Sequence, residues 1–331
     1  MKQLIIGFIV LVLIATSCTD NDQCKHKIDV SNVNVNVKVN RLEHELFEFK
    51  SPADAKAFIK KHPGTIQKFM EVPLSDSSFA SHLYQYYSNQ ALKEFNELTQ
   101  QGFSDLKSIT DETTEMLKHV KYYYPDFYIP EINTIVTGFV LGKDLLVEDS
   151  SITISIDYFL GPGAKYRPAL YEYFLERYRK EFINPMIALA ISTKYNEVDM
   201  EESTMLGTMI YYGKAMYFAK RIMPCAHDSL ITMYSGQQLK DVNDNLDVIW
   251  AHFLDKQLLY ETNHELIKIY CDESPKVNRI GEKCPGRIGR WLGYEIVKKY
   301  MEENPSVTLQ DLMKEKDAKK IFTQSKYKPR K

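Results

Sequence analysis

The sequence predicts an α+β fold, predominantly helical, built as a single globular domain with a small β-sheet. Three observations carry that expectation. Apolar residues recur at helical spacing from residue 51 to the C-terminus, whereas alternating or β-branched stretches occur at three places, 33–39, 131–139 and 151–158. Aromatic residues abound, with 22 Tyr and 16 Phe against 14 Gly and 13 Pro, which suits a packed core rather than a repeat array. No Gly/Ser/Pro-rich linker divides residues 30–331, so the body reads as one unit.

The chain opens with MKQLIIGFIVLVLIATSC. Lys2 supplies a positive start, residues 4–14 form an apolar run broken only by Gly7, and Ala15, Thr16 and Ser17 lead into Cys18. The run is short for a membrane-spanning helix and has the three-part layout of a secretory signal. A cysteine directly after the small residues predicts a lipoprotein signal over residues 1–17, cleaved before Cys18. The Cys18 thiol then carries a diacylglycerol and its amino group an acyl chain. Each buried methylene contributes about 0.8 kcal/mol, so several chains hold a protein stably to a membrane. Residues 18–29, beginning Cys18, Thr19, Asp20, Asn21 and Asp22, read as a polar tether. The expected place is the cell envelope, on the periplasmic side or at the outer membrane, with the leaflet left open.

Beyond the tether, Val alternates with Asn or Lys over 33–39, the clearest strand pattern in the chain. Ser51, Pro52 and Asp54 start a helix as cap, first-turn proline and first-turn acid. One long helix is expected over 76–99 and another over 104–123, stopped before Pro125. Segments 131–139 and 151–158 are rich in β-branched residues and predict two strands joined near Gly142 and Asp144. Helices are expected over 168–180, 184–194, 199–221, 235–242, 245–260 and 263–271. Two more follow over 287–303 and from a Thr308/Asp311 cap onward.

The 42 basic and 44 acidic residues leave a net charge of −2, which gives no electrostatic case for a nucleic-acid partner. Without Cys18 the cysteines are Cys24, Cys225, Cys271 and Cys284. Export permits disulfides, and four cysteines allow three complete pairings. Cys271 and Cys284 flank a turn-rich segment, so a local bridge between them is the expectation set against buried free thiols. No spacing fits a zinc motif, and no Gly-rich phosphate loop or G-x-S-x-G elbow occurs, so neither metal nor cofactor is expected. His44 and His264 each begin a His-Glu string, but the positions four residues on are Glu48 and Lys268, so no H-E-x-x-H pair forms.

A second group of residues is polar or aromatic within otherwise apolar surroundings. Asp157 and Tyr158 end a strand before Gly161, and Tyr212 and Lys214 interrupt the apolar helix 199–221. Arg287, Arg290 and Trp291 stand among Gly286, Gly289 and Gly293. These seven form the candidate structural or binding cluster, with Asp157 paired to Lys214 or an arginine. The glycines, spaced for close backbone approach, read as helix packing.

The segments IDYFLGPG, IYYGKAMYFAKRIMP, VIWAHFLDKQLLY and CPGRIGRWLGYEIVKKYMEENPSVTLQDL together resemble the gliding-motility-associated lipoprotein family GldB, most specifically over the last fifty or so residues. The resemblance implies a membrane-attached Bacteroidetes lipoprotein that binds or assembles with other cell-envelope components. Members also occur in species that do not glide. The family is in turn similar to predicted zinc-dependent proteases, with a strand ending in an Asp-Tyr-Leu-Gly-like turn, a metal-binding central helix and a late Gly-rich helix. Here the central helix has Tyr212 and Met216 where two histidines are required. The resemblance thus implies a degenerate zincin-like scaffold, a pseudoenzyme rather than a protease. The alternative is a residual metal-dependent hydrolase whose site is gathered from His227, His252, His264 and Asp157.

Overall fold

The valine alternation at 33–39 produces alternating burial, with Val33, Val35, Val37 and Val39 half-buried and Asn34, Asn36 and Lys38 exposed. Only its end enters a ladder. In the computed structural model, which describes Cys24 and residues 27–329, strand β1 (Val39–Arg41) pairs in parallel with β2 (Glu131–Ile135). Val39 stands opposite Ile132. Further pairing would soon meet Pro130, which has no N–H to give, so the valine stretch packs as an unpaired extended segment.

The two β-branched segments form shorter strands than their composition suggests. β2 stops at Ile135 because Gly138 and Phe139 both adopt left-handed backbone angles, φ 62° and 63°. The joint after Gly142 holds an edge strand that periodicity did not reveal, β3 (Leu145–Val147). It runs antiparallel to β4 (Ser151–Ser155), which lies parallel to β2, giving the order β1-β2-β4-β3. β4 ends in a 3-10 turn, Ile156–Phe159. Ile132, Ile135, Ile152 and Ile154 are buried in the core from these strands.

Helices make up the rest, and 54% of the structure is helical, so the class is α+β. α1 (Leu42–Leu46) follows β1, and α2 (Pro52–Lys61) starts at a reciprocal Ser51/Asp54 capping box. The single helix expected over 76–99 is two, α3 (Phe79–Tyr87) and α4 (Gln90–Gly102). Asn89 divides them, its side chain accepting from Ala91 N at 2.9 Å and Leu92 N at 3.2 Å. α5 (Lys107–Tyr123) ends just before Pro125, as expected.

The stretch 168–180 departs most. It yields one turn, α6 (Glu172–Leu175), and a 3-10 turn at Lys180–Phe182. Its Arg179 bridges back to Leu160, while Leu170 and Tyr171 stay exposed, so the apolar residues lack one face to bury.

Then follow α7 (Ile183–Ser192), α8 (Met205–Ile222), α9 (Asp228–Thr232), α10 (Gly236–Asp244) and α11 (Leu246–Asp255). The helix expected to reach 260 stops at Asp255, since Gln257 adopts φ 53°. α12 (His264–Cys271), α13 (Ile288–Glu303), α14 (Leu309–Lys314) and α15 (Ala318–Ser325) complete the chain.

α8 and α13 form the centre of the body. Met205, Met209, Phe218 and Ile222 of one helix and Ile288, Trp291, Ile296 and Val297 of the other are buried. α14 and α15 close over α13 with Leu312, Met313 and Ile321 fully buried. Trp250 of α11 packs on Phe322 and Tyr327, with ring centroids 6.0 and 5.1 Å away.

The expected local bridge is corrected. Cys24 pairs with Cys225, 201 residues on, and Cys271 and Cys284 are buried free thiols. Cys271 ends α12, where its sulfur lies under Gly289 of α13, and Cys284 has its sulfur against the Pro285 carbonyl. Burial pushes both thiols up to about 12, which keeps them inert. The signal 1–17 and Cys18 lie outside the described residues.

Candidate functional site

Asp157 sits in the 3-10 turn after β4, fully enclosed. Its Oδ2 accepts from Thr137 N (3.2 Å), Thr137 Oγ1 (3.2 Å) and Gly138 N (2.9 Å), whereas Oδ1 has no partner among the described residues. Burial raises its pKa to about 6 against the pull of those donors. The left-handed turn at Gly138 brings those N–H groups onto the carboxyl, so Asp157 fastens the end of β2 to the end of β4. Tyr158 beside it packs edge-on to Phe139 at 5.1 Å and lies 5.6 Å from the Tyr178 ring.

Lys214 is elsewhere and is not its partner, which corrects the expected ion pair. The Lys214 ammonium, buried on α8, donates to the Glu197 carbonyl at 2.8 Å and the Glu315 carbonyl at 2.7 Å. Burial lowers its pKa to about 8, with the Glu315 and Glu197 charges opposing. It ties α8 to the loop that joins α7 to α8 and to the junction between α14 and α15. Trp291 is likewise a core residue, 1% exposed.

Three of the seven candidates do meet. Arg290 lies over the Tyr212 ring, its guanidinium carbon 3.9 Å from the centroid, and Arg287 stands one helical turn before it at the entrance to α13. They line a cavity of about 390 Å³ between α7, α8 and the start of α13. Of its other charged residues, Asp144 lies in another part of the lining, and the two arginines are joined by Arg177 and Glu273. Neither was singled out in the sequence. Both lie outside regular elements in charge-bearing loops, and pairing across 96 residues leaves no local pattern.

Glu273 is the hub. Arg177 grips it with two bonds, Nη1 to Oε1 at 2.9 Å and Nη2 to Oε2 at 2.8 Å. Arg287 Nε stands 3.2 Å from Oε2 and Arg290 Nη1 3.7 Å from Oε1. Burial opposes ionisation of Glu273, yet Arg287, Arg177 and Arg290 hold its carboxyl below the usual range. Arg287 also donates to the Met233 carbonyl at 2.8 Å and the Thr232 carbonyl at 3.2 Å.

The glycines explain how these loops come together. A β-carbon on Gly286 would fall 1.9 Å from the Ser274 carbonyl oxygen. Its absence lets the 272–276 segment pass directly beneath the start of α13 and places Glu273 among the arginines. Arg287 then takes φ 61°, held there by its two carbonyl contacts. A second cleft, of about 500 Å³, opens on the far side and shares Arg177, Glu273 and Arg287.

The histidines do not converge. His227 caps α9 by accepting from Ser229 N, His252 meets the Tyr270 hydroxyl at 2.9 Å, and His264 is exposed at the start of α12. Among the described residues no three His, Cys, Asp or Glu side chains are placed to hold a metal ion. On α8, Tyr212 lies under Arg290, and Met216 is buried. The donor set does not fit a zinc ion.

No helix among the described residues is long and apolar enough to cross a membrane. A family model described as gliding motility protein GldB matches residues 23–329. No curated protein and no solved structure matches the chain.

Proposed function

The chain belongs to the gliding motility GldB family, a family of gliding-motility-related lipoproteins of the cell envelope, and from that premise we propose a membrane-anchored, non-catalytic binding or assembly component. Cys18 carries the lipid, and the body recruits another envelope protein.

The observation that carries the non-catalytic reading is the commitment of α8. Between Tyr212 and Met216, the positions at which a zinc helix would present two imidazoles, Gly213 packs backbone to backbone on Gly293, and the Lys214 ammonium is spent on two carbonyls. An ammonium held at that point opposes a divalent cation. The likeness to zinc proteases would then be one of scaffold, with the polar residues reused to hold helices together.

The anchor reading is supported by the signal pattern and by the Cys24–Cys225 bridge, a bond suited to an exported protein. Cys24 follows Cys18 by six positions, which limits the distance between them to about 20 Å. The bridge would thus hold the face around the C-terminal end of α8 towards the membrane.

Crosslinking in intact cells from a photoreactive residue at exposed Tyr171 tests the assembly reading, with membrane fractionation of Cys18→Ala alongside. A discrete envelope protein captured by the anchored chain supports the proposal. Stoichiometric zinc retained through mild chelation, together with peptide hydrolysis, overturns it. So does unchanged membrane partition of processed Cys18→Ala.

A further inference from the structure

The cavity beside Arg290 combines two features that its structural duties leave unused. The first is charge. Three guanidiniums surround one carboxylate, and both Glu273 oxygens are already taken by the Arg177 fork. Asp272 gives only a distant and half-exposed contact, 3.7 Å from Arg290 Nη2, and Asp144 in another part of the lining is engaged by the Tyr178 hydroxyl at 2.6 Å. With Glu273 and Asp144 set against Arg177, Arg287 and Arg290, the lining keeps one net positive charge, concentrated at the arginine end.

The second is the state of Arg290. Its Nε donates to the Cys271 carbonyl and its plane rests on Tyr212. Its terminal nitrogens, however, stand 3.7 Å from the Asp272 and Glu273 carboxylates, beyond hydrogen bonding. A guanidinium fixed in orientation, mostly desolvated, with terminal donors unspent is a prepared oxyanion receptor. The rest of the lining is mainly apolar and adaptable, with Met186, Leu189, Ala215, Met216 and Met233 beside the polar groups of Asp144 and Thr193, and the volume of about 390 Å³ is that of a small-molecule pocket.

We propose that this cavity binds a small amphiphilic oxyanion, with its carboxylate or phosphate head on the terminal nitrogens of Arg290 and its short apolar chain among the methionines. A cation is disfavoured by the same wall, and a bare inorganic anion would leave the apolar part of the cavity unfilled. The inference stands independently of the assembly role, because it depends on the cavity alone.

Calorimetry on the full-length lipoprotein in lipid nanodiscs, with empty nanodiscs as the blank, tests it. Hexanoate and hexyl phosphate are the probes, and hexanol and hexylammonium the controls. One saturable site is expected for at least one anion, the tighter of the two identifying the head, and none for the controls. Arg290→Gln should weaken binding about tenfold or more. Ala215→Phe, which fills the cavity while keeping all three arginines, should weaken it as well, and thermal melts establish that each variant is folded. The proposal is overturned if the wild-type chain takes up neither anion saturably or binds hexanol as well as hexanoate. It is also overturned if a folded variant of either kind binds with wild-type affinity.

Discussion

Gly213 and Gly293 meet backbone to backbone: a β-carbon on Gly213 would lie 2.4 Å from the Gly293 carbonyl oxygen. One on Gly293 would lie 1.9 Å from the Met209 carbonyl oxygen. α8 and α13 therefore approach more closely than side-chain-bearing helices can. The approach does more than fill the core. It sets Tyr212 of α8 directly beneath Arg290 of α13, so the cavity's charged wall depends on two missing side chains.

Gly293→Ala should accordingly destabilise the fold by about 3 kcal/mol or more, since backbone cannot yield as a flexible side chain can. Gly163→Ala and Gly281→Ala, whose added carbons meet nothing within 4 Å, should change stability by no more than about 0.5 kcal/mol. Differential scanning calorimetry on the three variants decides it. Equal melting temperatures would show that the two helices can part without cost.

The Asp157 carboxyl predicts a pH signature. Its folded pKa of about 6 lies above the ordinary 3.8, so in that window the folded chain keeps a proton the unfolded chain has lost. Stability attributable to this residue therefore falls as pH rises from 3.8 to about 6 and stays low above it. Asp157→Asn cannot ionise. Its stability relative to wild type should rise across that window by up to about 3 kcal/mol, read from urea titrations at several pH values. The tyrosines nearby, Tyr86, Tyr87 and Tyr158, are all pushed upward and do not titrate there. A difference independent of pH would refute the assignment.

The disulfide gives a third expectation. Cys225→Ser should lower stability by about 2–4 kcal/mol through release of a 201-residue closure. In the unreduced protein, Cys271 and Cys284 should react with a thiol reagent only after unfolding, being buried with raised pKa values. Rapid labelling of either cysteine in the native protein would contradict the pairing.

Capping and periodicity made much of the helical fold legible. Ser51/Asp54 and Thr308/Asp311 form the reciprocal caps that their spacing announces, and of the apolar stripe Trp291, Ile296, Val297, Tyr300 and Met301 the first four are buried on α13 and Met301 is half-buried. The failures have local causes. The break at Asn89 divides a continuous apolar pattern because one amide side chain offers the backbone a better start. β3 is three residues long and half-buried, too short for period two to register. The candidate cluster was legible only where its residues share a helix or face one. Arg287, Arg290 and Tyr212 come together, but Arg177 and Glu273 join them through irregular chain, and Asp157 and Lys214 serve separate joints. Cys24 and Cys225 gave no hint because proximity across 201 residues is a product of the tertiary fold.

Truncation after Asn304 tests whether the C-terminal segment is structural. It would strip Leu309, Leu312, Met313 and Ile321 from the core and leave α13 and Trp250 without cover. Removing several such side chains costs about 2–5 kcal/mol each, more than a typical domain can lose. The truncated chain should aggregate or bind a hydrophobic dye, and an unchanged melting curve would show the tail dispensable.

Lys214 links that tail to α8, and its titration should report the link. The ammonium reaches the Glu315 carbonyl between α14 and α15 as well as Glu197, and burial brings its pKa from 10.5 down to about 8. Between those values the unfolded chain holds a proton that the folded chain has released, so stability attributable to Lys214 rises with pH through that window. Lys214→Met has no proton to lose. It leaves two carbonyls without their donor, a cost of about 1–3 kcal/mol, but also removes a desolvated charge. The wild type should therefore gain roughly 1–3 kcal/mol on the variant between pH 8 and 10.5. Paired denaturation curves at the two pH values isolate the effect, because the tyrosines and other lysines titrating there are common to both chains. A constant difference would mean that Lys214 is charged in the folded protein throughout, with water rather than protein around its ammonium.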